Sequence, residues 1–97
     1  MENVLLEIIE KLLMKKEICK FLTNKSFLIF LECVSKARGF ETIWINPDFI
    51  IFKKQKEIVG VANKDSGKYS LKIWNKEFLN ECLYYLNIWS ASASIRR

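Results

Sequence analysis

The sequence predicts an α+β domain in the order α-α-β-β-β-β-α, with a small mixed or antiparallel sheet packed with helices. Three observations carry that expectation. Apolar residues recur with a helical period before Gly39, the period changes to two from Glu41, and a helical period returns after Asn75. A chain of 97 residues is long enough for one modest core, so residues 1–97 are read as a single domain.

Val4, Leu5, Ile8, Ile9, Leu12 and Leu13 share one helical face, and Glu2, Glu7, Glu10, Lys11, Lys15 and Lys16 fill the other. The spacing predicts a helix to about Lys16, with Ile18, Phe21 and Leu22 adding a turn before Thr23-Asn24 interrupts it. A second helix is expected from Ser26, as N-cap, to Gly39. Its opening FLIFL is apolar on nearly all sides, as in a helix buried between layers. Strands follow at about 41–46, 48–53, 58–63 and 69–74, with turns at KKQKE and NKDSGK. The continuous apolar runs FIIF and IVGVA suit central strands covered on both faces, whereas Tyr69, Leu71 and Ile73 alternate with Ser70, Lys72 and Trp74 as in a half-exposed strand. Asn75 is placed to cap a last helix from Lys76 to about Trp89, leaving residues 90–97 as a flexible tail or short final strand.

Composition narrows the function. Acidic residues precede and interrupt the apolar positions of the N-terminus, unlike a signal peptide. The apolar runs also fall far short of the roughly 20 residues that span a membrane. An intracellular, cytoplasmic protein with no membrane partner is expected. The three cysteines are widely spaced and the chain has no histidine, which leaves no zinc site of the usual spacing and no Ser-His or Cys-His nucleophile pair. Residues 1–48 hold seven basic and seven acidic side chains, but residues 49–97 hold nine basic and four acidic. The basic excess therefore lies in the second half and points to a polyanionic partner. Lys53, Lys54 and Lys56 in one turn, with Lys68, Lys72, Trp74 and Lys76 beyond it, are the candidate nucleic-acid contacts, because lysines hold phosphates and an aromatic ring stacks bases. A helix-turn-helix over residues 15–39 is disfavoured, since its recognition helix would present Phe27 to Leu31 where base contacts need polar side chains.

The segment from Ala37 to Asn87, about half the chain, carries Arg38-Gly39-Phe40 at a helix end, a strand, Pro47-Asp48 opening an apolar strand, a hairpin, and Tyr69 before a final helix. This pattern resembles the core of the PD-(D/E)XK nuclease superfamily, particularly its archaeal Holliday-junction resolvases. The resemblance implies that Asp48 and an E-x-K on the next strand would hold magnesium and position the attacking water. Aligning EIVGVANK with that strand puts Gly60 at the glutamate and Ala62 at the lysine, so the core constellation retains Asp48 alone. Lys64 lies two residues beyond Ala62, on the same strand face and about 7 Å further on. Glu32 or Glu41 would have to supply the second carboxylate.

These observations lead to a small non-enzymatic binding protein without a cofactor. It would contact nucleic acid through its basic second half, or act as an inhibitor or adaptor, encoded by a virus or mobile element, on a host protein. The alternative is a magnesium-dependent nuclease with a rearranged site of Asp48, Lys64, Glu32 and Glu41. A homodimer is expected, through the first helix or the last helix and tail, because the apolar content exceeds what so small a core comfortably buries.

Overall fold

The computed structural model describes residues 14–95 without a break, with side chains through Ser90, and Glu7, Glu10 and Lys11 ahead of them. The element order is β1 (Cys19–Thr23), α1 (Lys25–Lys36), β2 (Phe40–Asn46), β3 (Phe49–Lys54), β4 (Glu57–Asp65), β5 (Lys68–Ile73) and α2 (Lys76–Ile95). This corrects the expected α-α-β-β-β-β-α to β-α-β-β-β-β-α. The helix predicted up to Lys16 lies largely outside the described residues, of which Glu7, Glu10, Lys11 and Met14 are helical.

The turn of helix expected around Phe21 is a strand instead. Cys19, Phe21 and Thr23 are half-buried and alternate with exposed Lys20 and Leu22. The strand pairs antiparallel with β5 from Cys19↔Ile73 to Thr23↔Tyr69. Five residues are too few to separate a period of 3.6 from one of two, and the open edge of β5 decides.

All five strands form one antiparallel sheet in the order β1-β5-β4-β3-β2. Two reverse turns use left-handed backbone: Ser66 and Gly67 have φ of 54° and 85° in the β4–β5 turn, and Gln55 has φ of 58° in the β3–β4 turn. A primed hairpin turn needs those angles to match the twist of its strands.

Helix α1 is capped by Asn24 rather than Ser26. The Asn24 Oδ1 accepts from the Phe27 amide at 2.8 Å, satisfying one of the orphan donors of the first turn. Asn75 does the same for α2, accepting from the Phe78 amide at 3.0 Å. Helix α2 runs on to Ile95, past Trp89 and through most of the expected tail, because Ala-Ser repeats contain no breaker.

Both helices pack on one face of the sheet, α1 over β2 and α2 over β5, and against each other. Phe27, Leu28 and Leu31 of α1 and Phe78 and Cys82 of α2 meet Phe40, Ile50, Phe52, Ala62, Leu71 and Ile73 of the strands. Each such large side chain contributes about 1.5–3 kcal/mol on burial. A second cluster of Phe49, Ile51 and Val61, joined by Ile45, Ile58 and Trp74, occupies the opposite face. FIIF is thus buried on both sides, as its unbroken apolarity predicts. Among the described residues no helix is long and apolar enough to cross a membrane.

Candidate functional site

A meander sends successive turns to opposite ends of its sheet. The β3–β4 hairpin therefore places Lys53, Lys54 and Lys56 at one end, and the β4–β5 turn places Lys68 at the other. Eight steps along β4 separate the ends by about 26 Å. The predicted basic residues accordingly fall into two groups.

The hairpin end is the richer. The Lys54 ammonium bonds the Glu77 carboxylate at the start of α2 and lies 4.9 Å from the centre of the Phe40 ring. Lys53 points to the opposite face, across from Glu41, and Lys56 is exposed at the turn. Arg38, just beyond the C-terminus of α1, reaches Glu81 of α2 at 3.2 Å. Lys76 opens α2 beside Glu77 and is exposed. Residues 15–18 reach this end too, because the Ile18 amide donates to the Ile73 carbonyl at 2.8 Å. Lys15, Lys16, Arg38, Lys53, Lys54, Lys56 and Lys76 thus gather around one rim. Sequence reasoning named Lys76 but missed Lys15, Lys16 and Arg38. Lys76 could be placed at that end from the sequence, since a capped helix that follows β5 must start there, whereas nothing local marked the other three.

Trp74 is not an open stacking platform. Its indole Nε1 donates to the Lys15 carbonyl at 3.2 Å, and the Lys15 ammonium lies 5.3 Å from the ring centre. Lys72 stands on the same face, between Lys20 of β1 and Val61 of β4, and is partly buried.

The carboxylates named by the nuclease-like pattern are dispersed. Glu32 projects from α1 and accepts from the Thr42 hydroxyl at 2.5 Å and the Trp44 Nε1 at 3.2 Å, so it fastens helix to strand. Glu41 pairs across to Lys53 and, by strand alternation, faces away from Thr42. Asp48 occupies the β2–β3 turn at the far end, where its carbonyl accepts from the Lys64 amide at 2.9 Å. Its amide donates to the Asn46 Oδ1 at 2.8 Å, and the Tyr69 hydroxyl donates to the Pro47 carbonyl at 3.1 Å. Asp48 and Lys64 are therefore neighbours, through their backbones. Among the described residues no three Cys, Asp or Glu side chains stand together as a metal-holding group.

The two positions that would bear E-x-K lie inside the core. Gly60 and Ala62 face the helices opposite Phe52 and Ile50, and Ala62 is fully buried. A Cβ on Gly60 would come 2.7 Å from Cε2 of Phe78 and 2.9 Å from the Lys72 carbonyl. The glycine lets the Phe78 ring lie on the sheet, 4.9 Å from Phe52.

The cysteines read as structural or free thiols. Cys82 is buried, and desolvation, with Glu81 and Cys19 adding to it, pushes its thiol well above the ordinary value. Cys33 is exposed on α1.

No family model, no curated protein and no solved structure matches this chain.

Proposed function

We propose that the protein is a non-catalytic binding module that engages the phosphate backbone of nucleic acid with its hairpin end. The observation that carries this reading is the convergence of the β3–β4 lysines with Arg38, Lys76 and residues 15–16 on one rim. Lys54 and Arg38 already hold carboxylates, so exposed Lys56 and Lys76 and half-exposed Lys53 carry most of the attraction. Among the described residues Trp74 is not offered beside them for base stacking, since Lys15 lies over it; contact with phosphates alone implies weak sequence preference. The dispersal of Asp48, Glu32 and Glu41 supports binding over the magnesium-dependent alternative, because metal-assisted hydrolysis needs carboxylates converging on one ion.

The test is fluorescence anisotropy with labelled duplex, junction and single-stranded oligonucleotides across a salt series. Binding is expected to weaken steeply with salt, as each neutralised phosphate releases counterions. Absence of binding to all three at about 50 mM salt overturns the reading.

A protein-contact reading draws on a different observation. From Cys82 to Ile95 helix α2 bears no charged residue, and Leu83, Tyr84 and Ile88 are exposed on it. In a chain of net charge +5, this face lets two copies meet without opposing lysines, which supports the homodimer. A monomer by light scattering at high concentration removes it.

A further inference from the structure

Strand β2 is an edge of the sheet, bonded to β3 on one side only. Among the described residues its outward backbone groups bond to no other element. Edge strands are ordinarily blunted by lysine, proline or brevity. β2 has none of these: it is seven residues long, FETIWIN, with Glu41 as its one charge, and its pairing is regular from Phe40 to Trp44, with a register shift only beyond Trp44. The other edge, β1, is five residues long and carries Lys20.

A groove runs beside that edge under α1. Glu32 divides it into two clefts, one of about 440 Å³ at Cys33, Lys36 and Thr42, the other of about 590 Å³ at Lys25, Ile29 and Trp44. Each cleft holds one exposed lysine; the Lys25 ammonium lies 5.7 Å from the centre of the Trp44 ring, and Glu41, which also lines the first cleft, stands across from Lys53. The eleven steps from Lys25 to Lys36 span about 16 Å along α1. On an added strand, side chains four residues apart share a face and stand about 13 Å apart, within the reach of two lysine arms. Between them the Glu32 carboxylate is already occupied by Thr42 and Trp44, and its charge repels a third acid.

From this arrangement we infer that β2 is a strand-addition site for an extended acidic segment of a partner protein, with carboxylates at i and i+4 and an uncharged residue at i+2 facing α1. Main-chain bonds to β2 supply affinity, and Lys25 and Lys36 supply the selection of sequence. The site adjoins the hairpin rim at its Lys36 end but does not depend on nucleic-acid binding.

The probe is a fluorescein-labelled peptide, Ser-Glu-Thr-Ile-Thr-Glu-Ser, followed by anisotropy and by amide chemical shifts of residues 40–46. Saturable binding is expected, weakened about tenfold or more when both glutamates become lysine, or when the protein carries Lys25→Glu with Lys36→Glu. Thermal unfolding of that double variant should match the parent. Two further peptides, N-methylated on the Glu and Ile amides or on the Thr amides, separate strand addition from simple charge attraction: one set must lose binding and the other keep it, because only alternate amides face the edge. No saturation by about 1 mM, equal binding of the lysine peptide, or equal behaviour of the two methylated peptides overturns the inference. So does pairing of β2 with β2 of a second copy in place of the peptide.

Discussion

The two ends of β4 have similar ingredients and opposite characters. At its start, the hairpin collects Lys53, Lys54 and Lys56 beside both helix termini, and side chains do the bonding, as in Lys54 to Glu77 and Arg38 to Glu81. At its finish, Asp48, Lys64 and Lys68 lie close in the fold, yet the bonds there use the main chain of Asp48 and Lys64, from the Lys64 amide to the Asp48 carbonyl and from the Asp48 amide to the Asn46 Oδ1. Charge that is free of structural duty is available to a ligand, and the hairpin end holds more of it, on Lys53, Lys56 and Lys76. Nearness in space, as of Asp48 and Lys64, does not by itself make a site; what counts is which atoms converge. Between the ends, Gly60 and Ala62 belong to the core.

The largest expected effect lies between those ends. Gly60→Ala should cost about 2–3 kcal/mol in urea unfolding, because the new methyl meets the Phe78 ring and the immovable Lys72 carbonyl. Lys64→Ala, at the exposed finish of the same strand, should stay within about 0.5 kcal/mol. Equal losses would break the distinction between core and rim. The contact also excludes Gly60→Glu with Ala62→Lys as a way of installing a metal site, since both charges would enter the core.

Next in size is the fastening of α1. Glu32→Ala removes the acceptor of both Thr42 and Trp44 and should cost about 2 kcal/mol. Glu41→Ala, exposed and opposite Lys53, should cost about 0.5 kcal/mol. Were the two equal, Glu32 would be free for other chemistry.

How far the sequence revealed this arrangement depends on the range of the signal. The strands from Glu41 onward and the Asn75 cap were legible because period and capping are local. Cys19–Thr23 was not, since Ile18, Phe21 and Leu22 satisfy a helical period as well as Cys19, Phe21 and Thr23 satisfy a strand. The role of Gly60 depends on Phe78, eighteen positions away in the chain, and no local pattern reports that contact. The division of the lysines between two ends was within reach: a meander with one turn after Lys54 and the next after Asp65 must place them apart. What hid it was reading charge along the chain rather than along the fold.

Third comes the binding contrast. Lys53→Glu, Lys54→Glu and Lys56→Glu together should weaken oligonucleotide binding tenfold or more, about 1.4 kcal/mol or above. Stability should fall by less than about 1 kcal/mol, mainly through loss of the Lys54 pair with Glu77. Lys64→Glu with Lys68→Glu changes charge at the far end and should leave affinity within about threefold at physiological salt, since 26 Å exceeds the Debye length of about 8 Å. If the far-end pair proves as damaging as the hairpin triple, the polyanion lies along the sheet instead of capping one end.

The smallest effect is expected at Asp48, and its smallness is informative. Among the described residues the Asp48 carboxylate makes no hydrogen bond or ion pair, and the residue is exposed. Its amide and carbonyl, which hold the turn against Asn46 and Lys64, survive any substitution other than proline. Asp48→Asn should therefore shift unfolding by no more than about 0.5 kcal/mol, whereas Asn46→Ala, which removes the acceptor for the Asp48 amide, should cost about 1 kcal/mol. Incubation with magnesium or manganese and labelled junction, duplex and single-stranded DNA should yield no cleavage that Asp48→Asn removes. Cleavage that depends on Asp48 would assign the carboxylate a role that the turn does not require of it. It would also make the far end, where Lys64 stands beside it, the active end of the molecule.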